Sequence, residues 1–209
     1  AVLAIPILLG MNRIYHWAQA GAVADHLLQH KRPWLNPPFF AIRIAAYFAV
    51  WIFVSRFFIV RSFRQDRTGD VALTTQMERF SAPAMVLYGI TVTFAAFDLL
   101  MSLDPHWYST IFGVYFFTGG VVGFFALLPI LTFLLQRSGR LTSAITPEHY
   151  HDMGKLIFAF VVFWAYIGFS QYMLIWYANL PEETSWYLRR QTGSWTVLSP
   201  LLLFAPFAL

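Results

Sequence analysis

The residue that could most readily do chemistry is an aspartate inside an apolar run. Asp98 lies within residues 82–103, with Thr91 seven positions before it and Ser102 four after. At ~100° per residue these three fall within about 40° of one another on a helix, and Tyr88 flanks the same face. Ionisable groups in lipid are costly and tend to mark function. Asp98 is therefore a candidate proton-relay carboxylate or quinone ligand. A buried aspartate bonded to a neighbouring helix explains the pattern as well.

Further along the chain, Tyr166, Ser170, Met173 and Tyr177 recur at i, i+4, i+7 and i+11, with Gln171 beside them. Such a neutral hydrogen-bonding stripe suits a quinone head group, a water path or interhelical glue. His149, His151, Asp152 and Lys155 cluster at one helix mouth, where histidine could collect protons near neutral pH; a solvated helix start is the plainer reading. The turn Asp104-Pro105-His106-Trp107-Tyr108 pairs a carboxylate with an imidazole beside two interfacial aromatics. It would shuttle protons at that surface or simply cap a turn.

Metal chemistry finds little support in the sequence. A bis-histidine haem needs histidines in span interiors, and His26, His30, His106, His149 and His151 all lie outside them. His26 and His30 make one HxxxH box, but di-iron enzymes need several, and the chain has 6 histidines. With no cysteine, a cysteine-ligated iron–sulfur cluster is excluded. The expectation is no covalently bound or metal-ligated cofactor in this chain.

The elements that must position these residues are transmembrane helices. Of the 209 residues, 58% are hydrophobic and 11% charged, less than half the ~25% of a soluble domain. That composition excludes disorder and a disulfide-stapled secreted domain. A net charge of +4 is ordinary for a membrane protein and gives no argument for nucleic acid. The pattern predicts an all-α, polytopic bundle with complete spans at about 39–60, 82–103, 109–135 and 156–178, and partial spans at both ends. None alternates with period two, which disfavours a β-barrel.

Residues 61–79 are the most polar stretch and read as an aqueous loop. Thr146-Pro147-Glu148 reads as an N-cap, a first-turn proline and an acidic first turn, and Gly139 as a helix C-cap. Pro181-Glu182-Glu183-Thr184 is expected to close the fourth helix. Gly119 and Gly123, with Ser109 and Gly113, repeat the small-xxx-small spacing of close helix packing, and Pro129 is expected to kink that helix. Arg56, Arg61, Arg64, Arg67, Arg79, Arg137, Arg140 and Lys155 fall on one side of the membrane. Arg13, Lys31, Arg32, Arg43, Arg189 and Arg190 fall on the other. This weak bias puts the 61–79 loop in the cytoplasm. Apolar runs at both termini suggest a single transmembrane region, 1–209, cut from the interior of a longer chain.

Three runs carry a family resemblance: "KRPWLNPPFFAIRIAAYFAVW", "DLLMSLDPHWYSTIFGVYFFTGG" and "HDMGKLIFAFVVFWAYIGFSQYMLIWYANLPEET". The chain resembles, over nearly its whole length, the F subunit of bacterial alternative complex III, the second quinone-binding subunit of quinol:cytochrome c oxidoreductase. The C subunit and the polysulfide-reductase membrane anchors share the architecture. The resemblance implies a parent of about ten helices in the bacterial inner membrane. Its partners would be membrane lipid, a homologous C-type subunit, an iron–sulfur subunit, multi-haem and mono-haem cytochromes c and a terminal oxidase. Haem c and iron–sulfur clusters would belong to those partners, and menaquinone or ubiquinone would be the redox substrate. It also implies a subunit that supports quinol oxidation and offers a proton route. By position in or beside the matching runs, that route would use Asp98, Asp104, His106, His149, His151, Asp152 and Lys155. Two rival readings remain open. One is a quinol site in this chain using Tyr166, Ser170, Gln171 and Tyr177, with Asp98. The other is a secondary transporter, for which no internal repeat is visible.

Overall fold

A computed structural model describes residues 4–19, 21 and 24–205, the side chains of Glu182 and Leu203 excepted. The ends of both terminal apolar runs, 1–3 and 206–209, lie outside the described residues. The described regular structure is all helical: α1 (Ala4–Leu9), α2 (Met11–Ile14), α3 (His26–Lys31), α4 (Pro37–Thr68), α5 (Val71–Leu99), α6 (Phe112–Arg137), α7 (Pro147–Ala178), α8 (Pro181–Arg190) and α9 (Trp195–Phe204). Short 3-10 turns occupy His16–Ala18 and Met101–Leu103. Among the described residues, four helices are long and apolar enough to cross a membrane: α4, α5 with its 3-10 extension, α6 and α7. The chain divides into two compact units, Ala1–Tyr108 and Ser109–Leu209.

The first unit is built on the α4–α5 hairpin. Asn36 caps α4 by accepting from the Phe39 N–H at 2.9 Å, and Pro37 and Pro38 fill the first turn, where no N–H is needed. At 32 residues α4 is ~48 Å long, well beyond a ~30 Å hydrocarbon core. The stretch expected as an aqueous loop is thus mostly helix. Arginine and glutamine favour helix as well as leucine does, so polarity alone does not stop it. Gly69 does: at φ 66° it takes the left-handed conformation and its N–H closes on the Gln65 carbonyl. Asp70 then caps α5 through the Ala72 N–H. Around the base of α4, Tyr15, Trp17 and Phe40 pack with ring centroids 5.3 Å apart. The Tyr15 hydroxyl donates to the Leu99 carbonyl at 3.1 Å, tying the N-terminal segment to α5.

The second unit is the α6–α7 hairpin with α8 and α9. α6 ends in a Schellman motif: the Arg140 N–H reaches the Leu135 carbonyl, the Gly139 N–H reaches that of Gln136, and Gly139 has φ 81°. α7 starts at Pro147 behind Thr146, as the sequence indicated, and so begins well before residue 156. It closes at Asn179, which adopts φ 49°, two residues before the acidic turn expected to end it. Residues 181–184 open α8 instead. The two long helices pack through stacked rings, Tyr115 on Trp164 and Phe125 on Phe160. Gly168 lets Tyr115 in: a Cβ there would lie 3.1 Å from the ring. Gly119 faces Trp164, whereas Gly123 meets nothing within 4 Å. The small-residue pair is therefore split, one member used in the hairpin and the other on an open face.

Candidate functional site

The stripe on α5 faces inward, and its aspartate has partners on a different helix. Asp98 is fully buried and Arg43 of α4 is 7% exposed. Arg43 Nε donates to Asp98 Oδ2 at 2.8 Å and Nη2 donates to Oδ1 at 2.9 Å. This is the bidentate fork that gives guanidinium–carboxylate pairs their strength and their fixed direction. The Tyr47 hydroxyl adds a bond to Oδ2 at 2.8 Å, and the Trp34 indole N–H one to Oδ1 at 3.0 Å. Both oxygens are thus doubly bonded, which uses the carboxylate's full acceptor capacity. A further hydrogen-bond donor could reach the carboxylate only by displacing one of these four.

The guanidinium is equally enclosed. Its Nη1 donates to the Trp34 carbonyl at 2.9 Å, and its carbon lies 4.2 Å from the Trp34 ring centroid and 4.4 Å from that of Phe39. Aromatic faces stabilise a cation where water is excluded. The other members of the stripe follow. Thr91 accepts from the Trp51 indole N–H at 2.9 Å, and Ser102 donates to the Asp98 carbonyl at 2.5 Å. Tyr88, half outside, approaches Trp51 at 6.5 Å between rings.

Next to this cluster lies an open cleft of about 420 Å³. Ser102, Pro105 and Trp107 form its buried floor; Lys31, Leu35, Phe97 and Met101 form its walls; and His30, Trp34 and Tyr108 form its rim. That volume is within the range of small-molecule sites, ~300–1,000 Å³. Lys31 donates to the Pro105 carbonyl at 2.6 Å. Burial holds its ammonium below the usual lysine range, against the opposing pull of Asp104 and Asp25. His106 Nε2 lies 2.6 Å from Oδ2 of Asp25, the residue that caps α3.

The remaining candidates belong to the second unit. His149 Nδ1 accepts from the Thr146 N–H at 3.2 Å and meets its hydroxyl at 2.8 Å, so it serves the cap of α7. Lys155 pairs with Asp152 at 3.0 Å, and these groups and His151 are exposed. On the same helix the neutral stripe does not converge with Gln171. Tyr166 and Tyr177 are 63% and 82% exposed, whereas Gln171 is buried and donates to the Tyr187 hydroxyl of α8 at 3.2 Å. One step from Ser170 turns Gln171 ~100° away from that stripe. Burial raises the Tyr187 hydroxyl to about 12.

Arg43, Trp34, Tyr47 and Trp51 are the hydrogen-bond partners of Asp98 and Thr91 that sequence reading missed. Depth could have revealed the first. Arg43 is six residues into α4 and Asp98 five before Leu103, so both sit ~8–9 Å from the same end of an antiparallel pair. Among the described residues, no three metal-ligating side chains converge. Fold and site together define a multi-pass helical membrane protein with a buried, fully hydrogen-bonded ion pair between two of its spans. Compared with protein-family models and with curated proteins, the chain matches none.

Proposed function

We propose that the chain is an integral membrane subunit of a respiratory quinol:cytochrome c oxidoreductase of the alternative complex III type, in a bacterial inner membrane. One observation carries this reading. Two of the three runs that bear the resemblance, 31–51 and 98–120, supply every member of the Asp98 cluster and all of the cleft lining except His30 and Phe97. The residues that make the chain look like that family are the ones that build its site.

In this role the fork is foremost a clasp, fixing α4 against α5 at one depth. The same cluster is also the best starting point for a proton route, because it is the polar break in that pair of spans. Haem c and iron–sulfur clusters belong to partner subunits in this reading, and the C-type subunit stands beside this one. The test is purification of the full-length protein from its native membrane at low detergent. The expected result is co-elution with a c-type haem absorption spectrum and quinol-dependent cytochrome c reduction. A chain that elutes alone and without haem under conditions that preserve the respiratory complexes would overturn the assignment and favour the transporter reading.

The cleft favours a second reading, in which this chain itself meets the quinol. Aromatic walls and the Lys31 ammonium suit a flat ring bearing carbonyl oxygens. A photoreactive quinone analogue should then label peptides covering residues 30–35 and 101–108. Labelling confined to another subunit would remove this reading and leave the first untouched.

A further inference from the structure

We propose that His26 and His30 of α3 form a two-imidazole chelate for a borderline divalent cation such as Zn2+, at the rim of the cleft. One HxxxH box is too little for a di-iron centre, but it is enough for a single ion at a surface. Both residues lie in the helix His26–Lys31, so four steps of ~100° leave them about 40° apart on one face. Zinc-binding helices place two histidines at this same spacing. Both side chains are exposed and open to an ion arriving from water.

The distance between the rings sets this pair apart. Their centroids lie 4.9 Å from each other, with the planes at 77°. A zinc–nitrogen bond of ~2.1 Å puts each ring centroid ~3.2 Å from the metal, and ligand angles between about 90° and about 109° then put two centroids ~4.5–5.2 Å apart. The observed separation falls inside that range with no change of backbone. The rings need only turn about χ2, a broad torsion in histidine, to bring one nitrogen of each onto the ion. His16 and His106 are 6.3 Å apart, beyond the range, and His106 Nε2 already meets Asp25. His149 and His151 are two steps apart on α7, ~200° around the helix, and face different ways.

The surroundings suit a cation. Asp25 sits beside His26, its oxygens engaged by the Leu27 and Leu28 N–H groups and by His106. Lys31, one step beyond His30, turns ~100° away, and its ammonium donates to the Pro105 carbonyl. Among the described residues no third ligating side chain joins the pair, so water completes the coordination and the ion exchanges freely. The residues between the histidines are Leu27, Leu28 and Gln29; the glutamate that acts as general base in helical zinc enzymes is absent from the box. The ion is therefore a staple and not a catalytic centre. A six-residue helix has little stability of its own, and tying its first residue to its fifth stiffens it. His30 also lines the cleft, so the staple stiffens that rim.

The test uses the full-length protein in its native membrane. Diethyl pyrocarbonate is applied at one fixed pH, and peptide mass spectrometry reads the carbethoxylation rate of each histidine. Zn2+ should slow His26 and His30 several-fold with one shared micromolar midpoint. Mg2+, a hard cation that takes oxygen ligands, should slow neither. His151 is the internal control, being exposed and having Lys155 rather than a histidine four residues on. A chelate needs both rings, so His26→Gln should remove the protection of His30 at that zinc concentration, and His30→Gln that of His26. Amide exchange across residues 26–31 should slow with Zn2+ in the parent and in neither variant. Unprotected His26 and His30 in the parent, or equal protection of His151, would overturn the proposal. So would an unchanged midpoint for His30 in His26→Gln, which would mean that each ring binds alone.

Discussion

At the residue scale, the Arg43–Asp98 fork decides what the site tolerates. Two desolvated charges cost more than isolated apolar residues of equal volume, and removing one partner leaves the other uncompensated. Asp98→Asn keeps one acceptor oxygen and turns an amide toward a guanidinium. It should destabilise the protein by ~3–5 kcal/mol, read as a fall in the melting temperature of the detergent-solubilised protein. Arg43→Met should do the same, and the pair Arg43→Met with Asp98→Leu should recover most of the loss. Turnover and proton stoichiometry of that double variant separate two roles. A clasp needs only packing, so both would return; a relay needs the carboxylate, so both would stay low while stability recovers. Additive losses in the cycle would mean that the pair is not coupled. The inward face of Asp98 was legible from helical spacing alone. Its partner was not, because a pairing across 55 positions leaves no local pattern, only the matched depth of two charges.

At the element scale, the spans were legible because four long apolar runs have few alternative folds in lipid. Their ends were less so. Loss of hydropathy marks where a helix leaves the membrane, whereas caps mark where it stops, and the two differ by about eight residues at Thr68 and nine at Pro147. The hairpin contacts were harder still. The sequence drew attention to Gly119 and Gly123, yet the closest approach belongs to Gly168, which no spacing motif flags. This makes a specific expectation. Gly168→Val pushes branched carbons into the Tyr115 ring, which is stacked on Trp164. Overpacking of this kind costs ~1–3 kcal/mol. Gly123→Val meets open space and should leave the α6–α7 hairpin unchanged. Protease resistance of the 112–178 fragment within the intact protein compares the two. Equal effects would show that the Gly168–Tyr115 contact is not what sets the hairpin spacing.

At the scale of the whole molecule, the long helices are held less by one another than by what surrounds them. Only 11% of the most apolar window of α6, and at most 33% of that of α5, is buried within the chain. The rest must face lipid or other helices, so orientation rests on the charges in the turns. If α4, α5, α6 and α7 each cross once, parity puts the Gly69–Asp70 turn and the 138–146 connection on one side. The 104–111 segment and residues 179–181 then lie on the other. The first side collects Arg61, Arg64, Arg67, Arg79, Arg137 and Arg140, which the positive-inside rule assigns to the cytoplasm. Single cysteines at Thr68, Ser138, Tyr108 and Asn179 in the full-length protein test this with a membrane-impermeant maleimide. In inverted vesicles Thr68→Cys and Ser138→Cys should label, and in right-side-out vesicles Tyr108→Cys and Asn179→Cys. The reverse pattern would keep the four crossings and flip the molecule, placing the 104–111 segment in the cytoplasm. A split between Thr68→Cys and Ser138→Cys would mean that one of the four helices does not span.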